Sequence, residues 1–252
     1  MQAVILAAGQ GSRLADPFGR PKCLREVGGV PLVHHQLSAL AEVGIDDVVI
    51  VVGYEQDQVR TSVGTAARFV VNDRYADTNS LYSFLLAGGL VHDDLLVMNA
   101  DVFFHPGLLG LLLARDRDAL LYDSGSGDED EHMKVQVDSG CLVEMSKDMR
   151  RDLACGENLG ILRLSLTTTA VALAAARDIV NAGGEMLWLA SAINRVAVDH
   201  RIRCVDASGW PWVEIDYPQD LVRARLAILP RVSSALASQS LPLRMGAAGS
   251  RS

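Results

Sequence analysis

Apolar positions in the first part of the chain fall into short continuous runs separated by stretches with helical spacing. That is the pattern of strands buried on both faces alternating with helices. Ala3 to Ala7 and Asp47 to Val52 read as such strands, the second closed by Gly53, with Arg68 to Val71 and Leu95 to Met98 as two more. Pro31 to Val43 carries helical spacing and is followed by Gly44 as a C-cap; Asn79 to Ala87 reads as a helix stopped by Gly88-Gly89. This alternation predicts an α/β domain: a Rossmann-like mixed, mostly parallel sheet with helices on both faces.

The pattern changes further along. Lys134 to Val137, Cys141 to Met145 and Gly160 to Leu164 read as antiparallel strands, and Leu166 to Ala182 and Glu185 to Val198 as helices. Arg201 to Val205 reads as a strand, Tyr217 to Leu229 as a closing helix, and Ser124 to Asp130 as a glycine-rich acidic turn expected to be mobile. A single domain over 1–230 is expected. The tail over 231–252, rich in Ser, Ala and Gly from Ser233, is expected to lack order.

Composition narrows the function. The four cysteines, Cys23, Cys141, Cys155 and Cys204, form no C-x-x-C pair, so neither a zinc site nor a disulfide framework is expected and reduced thiols in a cytoplasmic protein are. The opening apolar run is too short for a signal peptide, and no run approaches bilayer length, so no membrane is expected. A net charge of −8 argues against nucleic acid as a partner. An anionic ligand must then be held by a few placed cations.

Such cations follow the first strand, in Leu6-Ala7-Ala8-Gly9-Gln10-Gly11-Ser12-Arg13-Leu14 and then Pro21-Lys22. A strand feeding a glycine-rich turn exposes consecutive N–H groups that cradle an anion. Gly9 and Gly11 let backbone approach phosphate, and small Ala7 and Ala8 leave room for a flat base. Arg13 can chelate phosphoryl oxygens and Lys22 adds a point charge. The spacing fits neither a Walker loop nor the dinucleotide fingerprint.

With these residues the chain resembles the nucleotidyltransferases that make NDP-sugars and CDP-alcohols. Val71-Asn72-Asp73-Arg74-Tyr75-Ala76-Asp77-Thr78-Asn79-Ser80-Leu81-Tyr82-Ser83, Met133-Lys134-Val135, Ser146-Lys147-Asp148, Gly156-Glu157-Asn158-Leu159-Gly160-Ile161 and Trp212-Val213-Glu214-Ile215-Asp216 narrow the resemblance. They are similar to bacterial phosphocholine cytidylyltransferases and relatives acting on aminoethyl- and hydroxyethylphosphonate. The resemblance implies transfer of CMP from CTP to a small phosphate or phosphonate with release of pyrophosphate. It places nucleotide contacts at Leu6, Ala7, Ala8, Gly9, Gly11, Ser12, Arg13, Asn79, Ser80 and Asp101. Asn79 and Ser80 also read as a plain helix cap.

Nucleotidyl transfer is mostly positioning and charge neutralisation, so a divalent cation is expected. Asp101 follows the fourth strand, where ligands of open α/β sheets sit, and Asp216 lies at a strand end; two hard carboxylates from distant segments suit Mg²⁺, and the resemblance implies the same pair as its ligands. Asp101 could instead cap a helix starting near Pro106, Asp216 could cap the helix at Tyr217-Pro218, and Glu214 is the alternative ligand. The resemblance assigns Lys147 to the acceptor phosphate. Lys134, Glu157, Asn158, Trp188 and Glu214 are further candidates for the acceptor pocket. Arg13, Lys22 and Lys147 are the expected catalytic cations, and no general base is needed because the acceptor oxygen is already anionic.

A choline headgroup would need aromatic faces, for which Tyr75, Tyr82, Trp188, Trp210, Trp212 and Tyr217 are the candidates. Thr78 stands where the resembling enzymes commonly have an aromatic, and Leu189-Ala190-Ser191 where an acidic residue is expected. Both departures point to a neutral headgroup such as hydroxyethylphosphonate. The short Asp16-Pro17-Phe18-Gly19-Arg20 link before Pro21-Lys22 is a third departure. The expected partners are CTP, a small phosphate or phosphonate, and a second copy of the chain in a homodimer. A sugar-1-phosphate or inositol-phosphate nucleotidyltransferase, and a non-catalytic binding module on the same fold, are the competing readings.

Overall fold

A computed structural model of the chain describes residues 1–14, 19–115, 118–126 and 131–239. It begins with β1 (Gln2–Ala7), a small hairpin of β2 (Glu26–Val27) and β3 (Val30–Pro31), and helix α1 (Leu32–Glu42). Then come β4 (Asp47–Val52), α2 (Gln56–Val63), β5 (Arg68–Val71), α3 (Ser80–Ala87) and β6 (Leu95–Asn99). The second half runs β7 (Val102–Phe104), α4 (Gly107–Leu113), β8 (Ala119–Asp123), β9 (Lys134–Asp138), β10 (Cys141–Ser146) and β11 (Gly156–Leu164). It ends with α5 (Leu166–Asn181), α6 (Ala190–Ala197), β12 (Arg203–Asp206), β13 (Trp212–Glu214), α7 (Pro218–Arg223) and α8 (Leu229–Gln239). A π-helical stretch, Ala224–Ile228, joins the last two helices.

Among the described residues, nine strands form one mixed sheet in the order β5-β4-β1-β6-β11-β8-β12-β10-β9. β1 runs parallel to β4 and β6, and β4 to β5. β11 is antiparallel to β6 and β8, β10 is antiparallel to β12 and β9, and β12 pairs parallel with β8. Side chains alternate across the pleat, so β1 feeds two cores. Ala3, Ile5 and Ala7 join Val33, Leu40 and Leu108 on the face covered by α1 and α4, whereas Val4 and Ala8 join Phe84, Ala172 and Ile193 under α3, α5 and α6. A third cluster packs Phe103, Val213, Ile215 and Ile228, docking the C-terminal helices onto the β7–β13 ribbon.

Two expected elements differ. The helix expected from Glu185 begins only at Ala190, because the preceding backbone is bonded elsewhere: Asn79 N–H donates to Glu185 O at 2.9 Å and Leu189 N–H to Ser80 Oγ at 2.9 Å. The closing helix does not stop at Leu229, and the part of the expected tail from 231 to 239 is helical, not unordered. Val232 is buried in the third cluster, and a docked turn propagates helix until a breaker intervenes. Residues 240–252 of that tail, 127–130 of the acidic turn and 15–18 of the link before Lys22 lie outside the described residues. Among the described residues no helix is long and apolar enough to cross a membrane.

Candidate active site

The C-terminal ends of β1 and β6 open onto a cavity of about 420 Å³. The turn after β1 is closed by Leu14 N–H donating to Gly11 O at 3.0 Å, and Gly11 adopts a φ of +61°, which favours glycine. A Cβ there would also lie 3.0 Å from Lys22 Cβ, so the glycine lets the turn and the lysine sit against each other. Leu6, Ala7, Ala8, Gly9, Gly11, Ser12 and Arg13 all line this end. Asn79 and Ser80 line it too, while doing structural work: Asn79 Oδ1 accepts from Ser80 N–H at 2.8 Å and Ser80 Oγ holds Leu189.

Asp101 leaves the end of β6, and the β7–β13 pairing brings Asp216 to it from the far end of the chain. Glu214 is the register partner of Val102, and Ile215 N–H donates to Asp101 O at 3.0 Å. One carboxylate oxygen each of Asp101, Glu214 and Asp216 lie within 4.8 Å of one another. Lys22 Nζ donates to Asp101 Oδ2 at 2.7 Å and also to Asp216 Oδ1. Neither capping alternative holds. Helix α4 has Pro106 at its N-cap, and it is Asp220, not Asp216, whose carboxylate accepts the N–H groups of Asp216 and Tyr217 at 3.0 and 2.7 Å.

Burial lowers the Lys22 pKa, but the charges of Asp101 and Asp216 outweigh it and raise the ammonium above the usual lysine range. Burial, and then the charges of Asp101 and Asp216, push the Glu214 carboxyl up to about 8. Even with Glu214 protonated, the Asp101 and Asp216 carboxylates against one ammonium leave surplus negative charge, and the buried Asp101 Oδ1 has no hydrogen-bond partner among the described residues. This all-oxygen set could hold a hard divalent cation.

Beyond β6 lies the other end of the cavity, lined by Lys147, Asn158 and Trp188. Lys147 follows β10, and its Nζ lies 4.8 Å from the centroid of the Trp188 ring. Arg13 Nη1 pairs with Glu131 Oε2 at 2.7 Å, and the same oxygen lies 3.9 Å from Lys147 Nζ. Glu131, which the sequence reading passed over, thus faces one candidate cation from each end. Its place at the close of an acidic turn gave no signal of this.

Lys134 and Glu157, expected in the acceptor pocket, are buried beneath it and do not line it. They face each other in register between β9 and β11, and Lys134 Nζ donates to Lys147 O at 2.6 Å. Glu157 accepts from Ser126 Oγ and lies 3.4 Å from His132 Nδ1. They support the turn that carries Lys147. Of the six aromatic candidates, Tyr75 and Trp188 line the cavity, whereas Trp212 Nε1 donates to Asp123 Oδ2 at 2.7 Å and Trp210 stacks edge-on against His105. Tyr82 and Tyr217 lie under the guanidinium groups of Arg74 and Arg13. Thr78 is buried at the cavity wall, donating to Arg74 O at 2.7 Å and accepting from Asn72 Nδ2 at 3.0 Å.

Residues 3–159 match the family model described as the MobA-like NTP transferase domain. Over 245 residues the chain is 31% identical to the CMP-5'-(3-aminopropyl)phosphonate synthase of Streptomyces rubellomurinus, covering 91% of this chain and 39% of that protein. It is 43% identical over 90 residues to the choline-phosphate cytidylyltransferase of Streptococcus pneumoniae, covering 34% of this chain and 38% of that one. The chain thus spans about two fifths of the length of these two curated relatives. Among solved structures, the CTP:phosphocholine cytidylyltransferase of Streptococcus pneumoniae superposes with a TM-score of 0.71 at 24% identity, over 89% of this chain and 97% of that one, which shows a shared fold.

Proposed function

Because the chain belongs to the family of MobA-like NTP transferase domains, we propose that it transfers CMP from CTP to a small phosphonate or phosphomonoester and releases pyrophosphate. One observation carries this reading: Lys22 and the Asp101, Glu214 and Asp216 carboxylates stand between an anion-cradling loop and a second cation, Lys147, within one cavity. A site that must join two anions needs positive charge on both sides of the meeting point. The choice of CTP is supported by the relatives, which include a CMP-phosphonate synthase and a cytidylyltransferase.

In this scheme the N–H groups of the loop from Gly9 to Ser12 and the Arg13 guanidinium hold the outer phosphates. Lys147 holds the acceptor phosphonate or phosphate, which is already ionised, so no side chain has to remove a proton. An acceptor oxygen attacks the α-phosphorus of CTP, and the bond from that phosphorus to the oxygen bridging to the β-phosphate breaks. Lys22 reduces repulsion between the anions, and Arg13 steadies the departing pyrophosphate. The partnerless Asp101 Oδ1 and the crowded carboxylates fit Mg²⁺, which when bound would neutralise phosphate oxygens. Asp101 and Asp216 would hold it, with Glu214 beside them.

Pyrophosphate release is the test, with each of four nucleoside triphosphates offered beside aminoethylphosphonate, hydroxyethylphosphonate and phosphocholine. Release is expected with CTP, to require Mg²⁺, and to fall at least about a hundredfold in Asp101→Ala. Wild-type turnover in that variant would remove the metal assignment, and release with another triphosphate alone would remove the cytidylyl assignment.

A further inference from the structure

The far end of the cavity lies where the headgroup of an acceptor held by Lys147 would reach. Its floor is a row of three side chains on adjacent strands: Leu162 of β11 is in register with Val97 of β6 on one side and Leu120 of β8 on the other. Met145 of β10 and Ile193 of α6 wall the same space. The ladder is irregular between Asn158 and Leu162, and there Gly160, with a φ of +71°, lies so close to Asn99 that a Cβ would come within 2.6 Å of its Nδ2. Backbone irregularity at one strand thus leaves a chamber open above an apolar floor.

The charges around this chamber are as informative as its walls. Among the described residues, the carboxylates lining the cavity are Asp101, Glu214 and Asp216, and they are gathered at the Lys22 end. Buried Glu157 turns to Ser126 and His132, and half-exposed Glu131 is paired with Arg13 and lies 3.9 Å from Lys147, on the phosphate side of the chamber. The aromatic face best suited to a quaternary ammonium, that of Trp188, already has the Lys147 ammonium 4.8 Å from its centroid. A cationic headgroup would meet an apolar floor, a like charge at Lys147 and, among the described residues, no carboxylate lining the chamber. Desolvating it there is unfavourable, whereas hydrocarbon entering the chamber gains from burial.

We propose that this chamber receives an uncharged hydrocarbon end of the acceptor, so that the preferred substrates are phosphonates or phosphomonoesters bearing a short alkyl tail in place of an ammonium group. Val97, Leu120, Met145, Leu162 and Ile193 are then the specificity-determining residues. This rests on the nucleotidyl-transfer reading for the position of the acceptor phosphorus. It goes beyond that reading by naming the chemistry of the other end.

The experiment measures acceptor binding separately from turnover. Ethyl-, propyl- and butylphosphonate are titrated calorimetrically against their ω-amino counterparts, using the full chain loaded with Mg²⁺ and a non-hydrolysable CTP analogue. Release of pyrophosphate from CTP is followed in parallel. The alkyl series is expected to bind roughly fourfold tighter per added methylene, and at least about tenfold tighter than the matched amines. Ala190→Leu, which adds bulk to the cavity wall, should weaken butylphosphonate at least about tenfold while changing CTP-analogue binding by less than about threefold. Equal or tighter binding of the amines overturns the proposal, as does failure of every phosphonate to bind. Alkyl preference without pyrophosphate release sustains the chamber and overturns the transfer reading instead.

Discussion

On one side of β6 the cavity is walled by parallel strands and by loops that follow them directly in sequence, and one such strand and loop supplies much of that wall as a contiguous run. Leu6 through Arg13 is one unbroken segment. On the other side the wall is made by β8, β10, β11 and α6, and its residues, Leu120, Met145, Asn158 and Ile193, come from separate antiparallel and crossover segments. A contiguous motif suits a ligand part that does not change, such as a triphosphate. A wall assembled from separated segments can alter one residue at a time without disturbing its neighbours, which suits the variable part of an acceptor. Between the two ends stands Lys22, bridging Asp101 and Asp216.

Removing that bridge is the most severe way to break the arrangement. Lys22→Ala is expected to lower kcat for pyrophosphate release by at least about a hundredfold, because the cation between the two anions is lost. It also leaves Asp101 and Asp216 facing each other uncompensated. The variant should therefore unfold at lower temperature than the wild type without Mg²⁺ and recover more of the deficit when Mg²⁺ is added. Equal Mg²⁺ stabilisation of the two proteins would mean that the carboxylates do not share a cation site.

The two ends can be separated with one variant each. Arg13→Ala is expected to raise KM for CTP about tenfold to a hundredfold and leave the acceptor KM near its wild-type value, and Lys147→Ala should do the reverse. Steady-state kinetics with each substrate varied in turn checks the split. Parallel rises in both constants for both variants would deny the division of the cavity.

The same division explains what the sequence made legible. β1, β4 and β6 are continuous apolar runs, and their loops carry chemistry in fixed spacing, so Arg13, Lys22 and Asp101 were readable from local pattern. Helix α2 was not: only Val59 and Val63 are buried in Gln56–Val63, too thin a stripe to stand out. β7 and β13 are three residues each and exist by pairing across the chain, so the meeting of Asp101 with Glu214 and Asp216 was anticipated from the resemblance and not from spacing. Lys134 and Glu157 were misplaced for a related reason. Charged residues in short strands read as solvent- or ligand-facing, and nothing local told of their register with each other or of the Lys147 carbonyl that Lys134 serves.

That supporting role has its own signature. Lys134→Met keeps the stem and removes the donor, leaving the Lys147 carbonyl without it and the partly opposed Glu157 without its in-register cation. The loss is expected to be about 2 kcal/mol of unfolding free energy, read from a denaturant transition. The acceptor KM should rise severalfold as the turn carrying Lys147 loosens, with the CTP KM unchanged. If Lys134 instead touched substrate, acceptor binding would fail with stability intact.

The smallest effect is expected at Glu131, and it is the one that joins the two ends. Its carboxylate lies 2.7 Å from Arg13 and 3.9 Å from Lys147, the two groups assigned to different substrate phosphates. An incoming phosphate must displace this side chain from each cation in turn, so Glu131 competes with both substrates. Half-exposed ion pairs of this kind contribute about 0.2–1 kcal/mol, which caps the change at roughly fivefold. Glu131→Gln should therefore lower KM for CTP and for the acceptor together, each by about two- to fivefold, with kcat nearly constant. The difference from wild type should shrink as ionic strength rises, since screening weakens the competitor along with the substrates. A higher KM for either substrate in Glu131→Gln would show that the carboxylate orients the cations and does not compete for them.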